Sequence, residues 1–111
     1  MVQLICHLIG DYLLQNDWMA QNKKKKGSNG FAACLIHCVL YIIPFAFICS
    51  IIQCFALFLT HFFIDRFYFV RWFMNHAGQK EFSKPPFAPW SIIVVDNTFH
   101  LVTNYIIIQT L

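Results

Sequence analysis

Four long apolar stretches, each carrying a thin line of polar residues, divide the chain. The first, residues 2–21 (VQLICHLIGDYLLQNDWMAQ), sets His7, Asp11 and Gln15 at successive steps of four. The second, residues 31–49, repeats that step with His37 and Tyr41, and its Pro44 is tolerated as a kink. The third, residues 54–75, holds His61 and Asp65 within THFFIDRF, and the fourth, residues 89–111, steps through Asp96, His100 and Asn104. At 3.6 residues per turn a step of four keeps side chains on one helical face, about 6 Å apart along the axis. The pattern predicts four helices, each apolar over most of its circumference with one polar stripe.

Between the first and second helices, NKKKKGSNG reads as a polar loop broken by Gly27 and Gly30. No strong turn signal parts the second helix from the third. Yet the apolar run from Phe31 to Phe73 is about twice the roughly 20 residues that span a bilayer, so it must reverse once. The reversal is placed around Cys49 to Gln53, where Ser50 and Gln53 are the only polar residues. The polar segment after the third helix is flanked by Trp72 and Trp90, as interfacial aromatics are.

Composition sharpens the reading. The 111 residues are 59% hydrophobic and 18% aromatic, with 12% charged, about half the usual globular share. Mean hydropathy is +0.57. The fold class expected is all-α: one domain, an integral membrane bundle of four transmembrane helices in contact with a lipid bilayer. The net charge of +3 says little, because four of the eight basic residues form one run, Lys23 to Lys26. That run is a topology signal and an anionic-lipid contact; without aromatic interleaving it points to no nucleic acid. Arg66, Arg71, Lys80 and Lys84 lie at or after the end of the third helix. Four spans put both basic groups on the same side, which by the positive-inside rule is cytoplasmic, with both termini outside. The five cysteines form no C-x-x-C pair and read as small buried apolar residues, with a thiolate site as the lesser reading. No basic n-region opens the chain, and the first apolar stretch already carries His7 and Asp11, so no cleavable signal peptide is expected.

Ionisable side chains in an apolar helix cost on the order of 2.5 to 3.5 kcal/mol each at a bilayer centre, so they are functional by default. Here the set is His7, Asp11, His37, His61, Asp65, Asp96 and His100. The order is H-x-x-x-D in the first and third helices and D-x-x-x-H in the fourth, which runs the opposite way. The reversal restores the layering. At 1.5 Å per residue all seven fall within about 12 Å of depth, on the cytoplasmic half. Three carboxylates crowded in low dielectric would repel and mostly protonate unless cations sit among them. Four imidazoles with three carboxylates suit one or two divalent transition-metal ions, zinc first, with iron or manganese possible, over the all-oxygen shells of calcium or magnesium.

Gln15, Tyr41 and Asn104 extend the stripes as donors that orient ligands or touch substrate, or as plain interhelical hydrogen bonds. Arg66 beside Asp65 is a candidate for binding a phosphate or carboxylate, or snorkels to the headgroups. His76, Asp17 and Glu81 read as solvated surface residues.

At HLIGDYLLQNDWMAQNK, HCVLY, THFFIDR and DNTFH the chain resembles a family of small membrane proteins from bacteria and their phages known only as a domain of unknown function. In its repeated H-x-x-x-D pattern it is also similar to the membrane-bound metal-dependent hydrolases of the bacterial inner membrane. That resemblance implies a metal-dependent hydrolase acting at the bilayer, with His7, Asp11, His61 and Asp65 on the motif. The expected chemistry is attack of an activated water on a lipid-like ester or phosphoester, with Asp11, Asp65 and Asp96 as catalytic carboxylates, each ligating or acting as general base. The chain has no G-x-S-x-G or Cys-His signature for a covalent nucleophile. Two other readings fit the same stripes. One is a metal or proton transporter, which calls for ligands spread along the membrane normal. The other is a non-enzymatic phage or host factor that binds another membrane protein, or its own copies as a homo-oligomer, and uses the polar residues only to fix the bundle.

Overall fold

The computed structural model describes residues 1–111 and is all-helical. Helix α1 (Val2–Leu8) runs into a wider π-helical turn, Ile9–Leu13, and the chain breaks at Leu14 before α2 (Asp17–Asn22). Asn16 starts α2 by accepting the Met19 amide on its side chain. Gly27, at φ 97°, turns the chain into α3 (Ser28–Phe45), which holds Pro44 in its last turn. Ser50 opens α4 (Ile51–Arg66) with a reciprocal cap: its hydroxyl accepts the Gln53 amide, and the Gln53 side chain accepts the Ser50 amide. Helix α5 (Phe69–His76) follows, and α6 (Trp90–Thr110) closes the chain. The expected reversal around Cys49 to Gln53 is there, and its two polar residues are the ones that cap α4.

Two expected helices are not continuous. The stretch 2–21 is interrupted by the π-helical turn and the break before Asn16. The stretch 54–75 is bent by 65° between α4 and α5, where Tyr68 adopts the left-handed region at φ 53°. A residue there cannot carry the helical hydrogen-bond ladder onward, and the surrounding run of apolar and aromatic residues hides the break from a hydropathy reading. As a result α3 and α6 are the two helices long and apolar enough to cross a membrane; α4 and α5 pass only as a bent pair, and Val2–Leu13 is shorter. That makes two to three candidate spans where four were expected.

Helices α1, α3, α4 and α6 close a ring, α1 on α3, α3 on α4, α4 on α6 and α6 on α1. Inside it, Cys6, Tyr41, Phe45, Leu57 and Ile107 form one apolar cluster. A second, Ile64, Val70 and Met74, seats α5 against α6 through Phe69, Phe73 and Phe99. The burial is inverted relative to a soluble domain. Eight of the 22 buried residues are polar or charged, while Phe47, Ile51, Ile52 and Phe55 are more than 60% exposed. An apolar exterior over a polar interior is the distribution a lipid solvent favours, since polar groups find partners only within the bundle.

The π-helical turn that extends α1 meets α3 at Gly10. A Cβ there would lie 2.7 Å from the Tyr41 ring and 2.9 Å from the Tyr41 carbonyl oxygen, closer than real contacts allow. Gly10→Ala therefore pushes α1 off α3 beside Asp11. We expect a loss of about 1–3 kcal/mol, typical of overpacking, seen as a lower midpoint in detergent unfolding. An unchanged midpoint would mean that α1 shifts freely.

Candidate metal centre

The ring of helices brings all seven predicted residues into one buried network, with Asp96 at its edge. At its centre Asp11 Oδ1, His37 Nε2, His61 Nε2 and Asp65 Oδ2 converge, one donor each from the π-helical turn and α3 and two from α4, all within 4.8 Å of one another. His37 Nε2 lies 2.9 Å from His61 Nε2, 3.1 Å from Asp11 Oδ1 and 3.0 Å from Asp65 Oδ2. His61 Nε2 lies 3.3 Å from Asp65 Oδ2 and 3.7 Å from Asp11 Oδ1. Zinc ligands at 2.0 to 2.2 Å in a tetrahedron are about 3.3 to 3.6 Å apart, and these separations bracket that value.

Proton counting supports the same conclusion. Asp65 Oδ1 accepts from His100 Nε2 at 3.0 Å, so the neutral His100 ring presents Nδ1 as an acceptor. His61 Nδ1, 3.1 Å away, must donate to it. That tautomer leaves His61 Nε2 with a lone pair aimed at the convergence point. His37 Nε2 brings at most one hydrogen, and the Lys23 ammonium one more to Asp65 Oδ2 at 2.9 Å, for three acceptors there. Asp11 Oδ1 stays without a hydrogen-bond partner although it is buried. Lone pairs exceed protons, and a cation is the group that satisfies the excess. The Asp and His residues present thus fit a divalent metal ion, and no cysteine belongs to the converging set.

His100 has one nitrogen on His61 and the other on Asp65, 3.5 Å from Asp96 Oδ2, so it holds two donors in place. It also falls in a second group of possible donors with Asp11 and Asp96. His7 is held by hydrogen bonds at both nitrogens. Its Nδ1 accepts from the Tyr41 hydroxyl at 2.7 Å, its Nε2 donates to Asn97 Oδ1 at 2.8 Å, and Asp11 Oδ2 is 3.8 Å off. Asn104 Nδ2 donates to the same Tyr41 hydroxyl at 2.7 Å, and the Tyr41 ring stacks on His61 with centroids 3.6 Å apart. Tyr41, held by Asn104, thereby braces the histidines of two helices, His7 of α1 and His61 of α4.

Two participants are not legible as such in the sequence. Asn97 links His7 to the Tyr12 hydroxyl, one residue off the α6 stripe. Lys23, read as a topology signal, turns inward and donates to Asp65 Oδ2 at 2.9 Å, while Lys24 donates to the Asp65 carbonyl at 2.7 Å. Burial alone would lower the Lys23 pKa; the carboxylates of Asp65 and Asp11 reverse this and hold it above the ordinary lysine value. A run of four lysines gives no sign of which members point in.

Beside the converging donors is a cavity of about 350 Å³, in the range of small-molecule sites. Asp11, Asp65 and Asp96 line it together with Lys23, Lys24 and Arg71, and Val70, Ile92 and Ile93 are among its apolar lining. Arg66, the sequence candidate for an anion contact, does not line it. His76 is exposed and donates to or accepts nothing beyond its own turn, where its Nδ1 meets the Trp72 carbonyl at 2.8 Å.

Across residues 1–111 the chain matches the family described as protein of unknown function (DUF3307). No curated protein and no solved structure matches it.

Proposed function

We propose, for a chain that belongs to the DUF3307 family, a membrane-embedded metal centre that hydrolyses a lipid-like ester or phosphoester. In this reading the Val2–Leu13 segment and the bent α4–α5 pair join α3 and α6 as a four-span bundle in a bacterial inner membrane. The lysine loop is cytoplasmic and both termini lie outside. Asp11, His37, His61 and Asp65 hold zinc, or iron or manganese in its place. The observation that carries the reading is the convergence of these four donors, short of protons, beside a cavity that can admit a substrate.

A divalent ion held there supplies Lewis acidity and a water that ionises near neutral pH. The chain's own residues do the rest. His100 keeps His61 and Asp65 oriented through its hydrogen bonds. Asp96 lines the cavity, is 22% exposed at its side chain and lies outside the four converging donors, so it is the carboxylate free to take a proton from the attacking water. A transport role would need donors spread along the helix axes, whereas these four meet within 4.8 Å.

Asp96→Asn tests the assignment. Detergent-purified wild type and variant, loaded with zinc, are assayed on a fluorogenic lipid ester and a fluorogenic lipid phosphoester. The variant should keep its metal and lose on the order of 10²-fold or more in rate, the usual weight of a general base. Metal-loaded wild type inactive on both classes would sink the hydrolase reading.

A further inference from the structure

The cavity's charges point beyond hydrolysis in general to one class of substrate. Its three carboxylates, Asp11, Asp65 and Asp96, are balanced by three cations, Lys23, Lys24 and Arg71. One divalent ion at the converging donors then leaves two positive charges without counterpart in a partly closed space of low dielectric. A neutral ester does not compensate them. A phosphomonoester, carrying about −1.5 to −2 at neutral pH, does.

The cations have donors to spare. Lys24 uses one N–H on the Asp65 carbonyl and sits 6.0 Å over the Tyr68 ring, which leaves two N–H groups. The Lys and Arg ion pairs of the whole chain are Lys23 with Asp65 and Lys84 with Glu81, so the Arg71 fork is unpaired at the cavity. That planar fork matches two phosphate oxygens. Val70, Ile92 and Ile93 add apolar lining, and Ile93 of α6 is 48% exposed, so an alkyl chain can leave the cavity along it.

We infer that the cavity is a subsite for the phosphomonoester headgroup of an amphiphile, gripped by Lys24 and Arg71 with its phosphorus facing the metal centre. This deepens the reading above and rests on it. The test uses zinc-loaded full-length protein in detergent micelles. Binding of phosphatidic acid and of diacylglycerol is compared by native mass spectrometry, with metal content measured on the same samples. Wild type should bind phosphatidic acid at least tenfold more tightly than diacylglycerol. Lys24→Ala with Arg71→Ala should lose that preference and keep its metal; Arg71→Ala alone, which breaks no ion pair within the chain, serves if the double variant misfolds. Equal binding of the two lipids by metal-loaded wild type, or a preference untouched in the variants, overturns the subsite and leaves the metal centre standing. Inorganic phosphate bound as tightly as phosphatidic acid overturns the amphiphile. Wild type that takes up no metal overturns both.

Discussion

Asp65→Ala protein, purified in detergent and offered zinc, should carry less than a tenth of the metal bound by wild type. Asp65 is the hub of the centre. Its Oδ2 faces His37, His61 and Lys23 at 3.0, 3.3 and 2.9 Å, and its Oδ1 holds His100 at 3.0 Å. Removing it deletes one of the four converging donors and frees His100, whose Nδ1 sets the His61 tautomer. It also leaves the Lys23 ammonium without its nearest counter-charge. Breaking a buried pair by deleting one partner costs about 3–5 kcal/mol, so the unfolding midpoint should fall even without metal. Asp65→Asn separates the two effects: it preserves volume and one carbonyl oxygen but not the charge, and should lose metal with a smaller drop in stability. Elemental analysis beside thermal unfolding reads both. Full metal occupancy in Asp65→Ala would show that the ion, if any, is held elsewhere.

Gly30→Ala should be among the most damaging single-methyl changes the chain can suffer. A Cβ at Gly30 would lie 1.7 Å from the Lys25 carbonyl oxygen and 2.6 Å from its carbon, atoms of backbone that no rotamer change can move. The lysine loop lies directly on the first turn of α3 because Gly30 has no side chain. Accommodating the methyl requires the loop to lift, and with it Lys23 and Lys24, which reach Asp65 from that loop. We expect a loss of about 3 kcal/mol, the upper end of ordinary overpacking, together with weaker phosphatidic acid binding. Gly27→Ala is the comparison. Its φ of 97° strains a side chain but nothing lies within 4 Å of the added Cβ, so it should cost stability while the loop stays seated. Wild-type behaviour in Gly30→Ala would mean that the loop contact is dispensable.

Much of the centre is legible from spacing. His61 and Asp65, or Asp96 and His100, share a helix face because four residues make about one turn, a local consequence of backbone geometry. The inverted order in the last stretch tells that the layers coincide, because antiparallel helices reverse the sequence direction at a given depth. Ser50 and Gln53 mark the reversal before α4 because a cap needs its two polar residues three apart. The breaks at Leu14 and Tyr68 are a different matter. Tyr68 lies in residues that any apolar helix accepts, and the packing of Val70 and Met74 on Ile64 sets the bend there; Leu14 ends an apolar run, and Asn16 two residues on caps a new helix.

The sequence by itself determined that the chain is helical, that its exterior is apolar, and that three aspartates and four histidines share one level inside it. Periodicity and side-chain polarity carry that much, since each depends only on neighbours a few residues away. Only the tertiary structure decided which atoms meet. The rotation of α3 and α4 about their axes points His37 and His61 at each other, and the hydrogen bonds of His100 decide which His61 nitrogen is left bare. The fold of the lysine loop over Gly30 brings two cations to the carboxylates. Convergence within 4.8 Å depends on how separate helices are turned and seated against one another, and no local pattern encodes that.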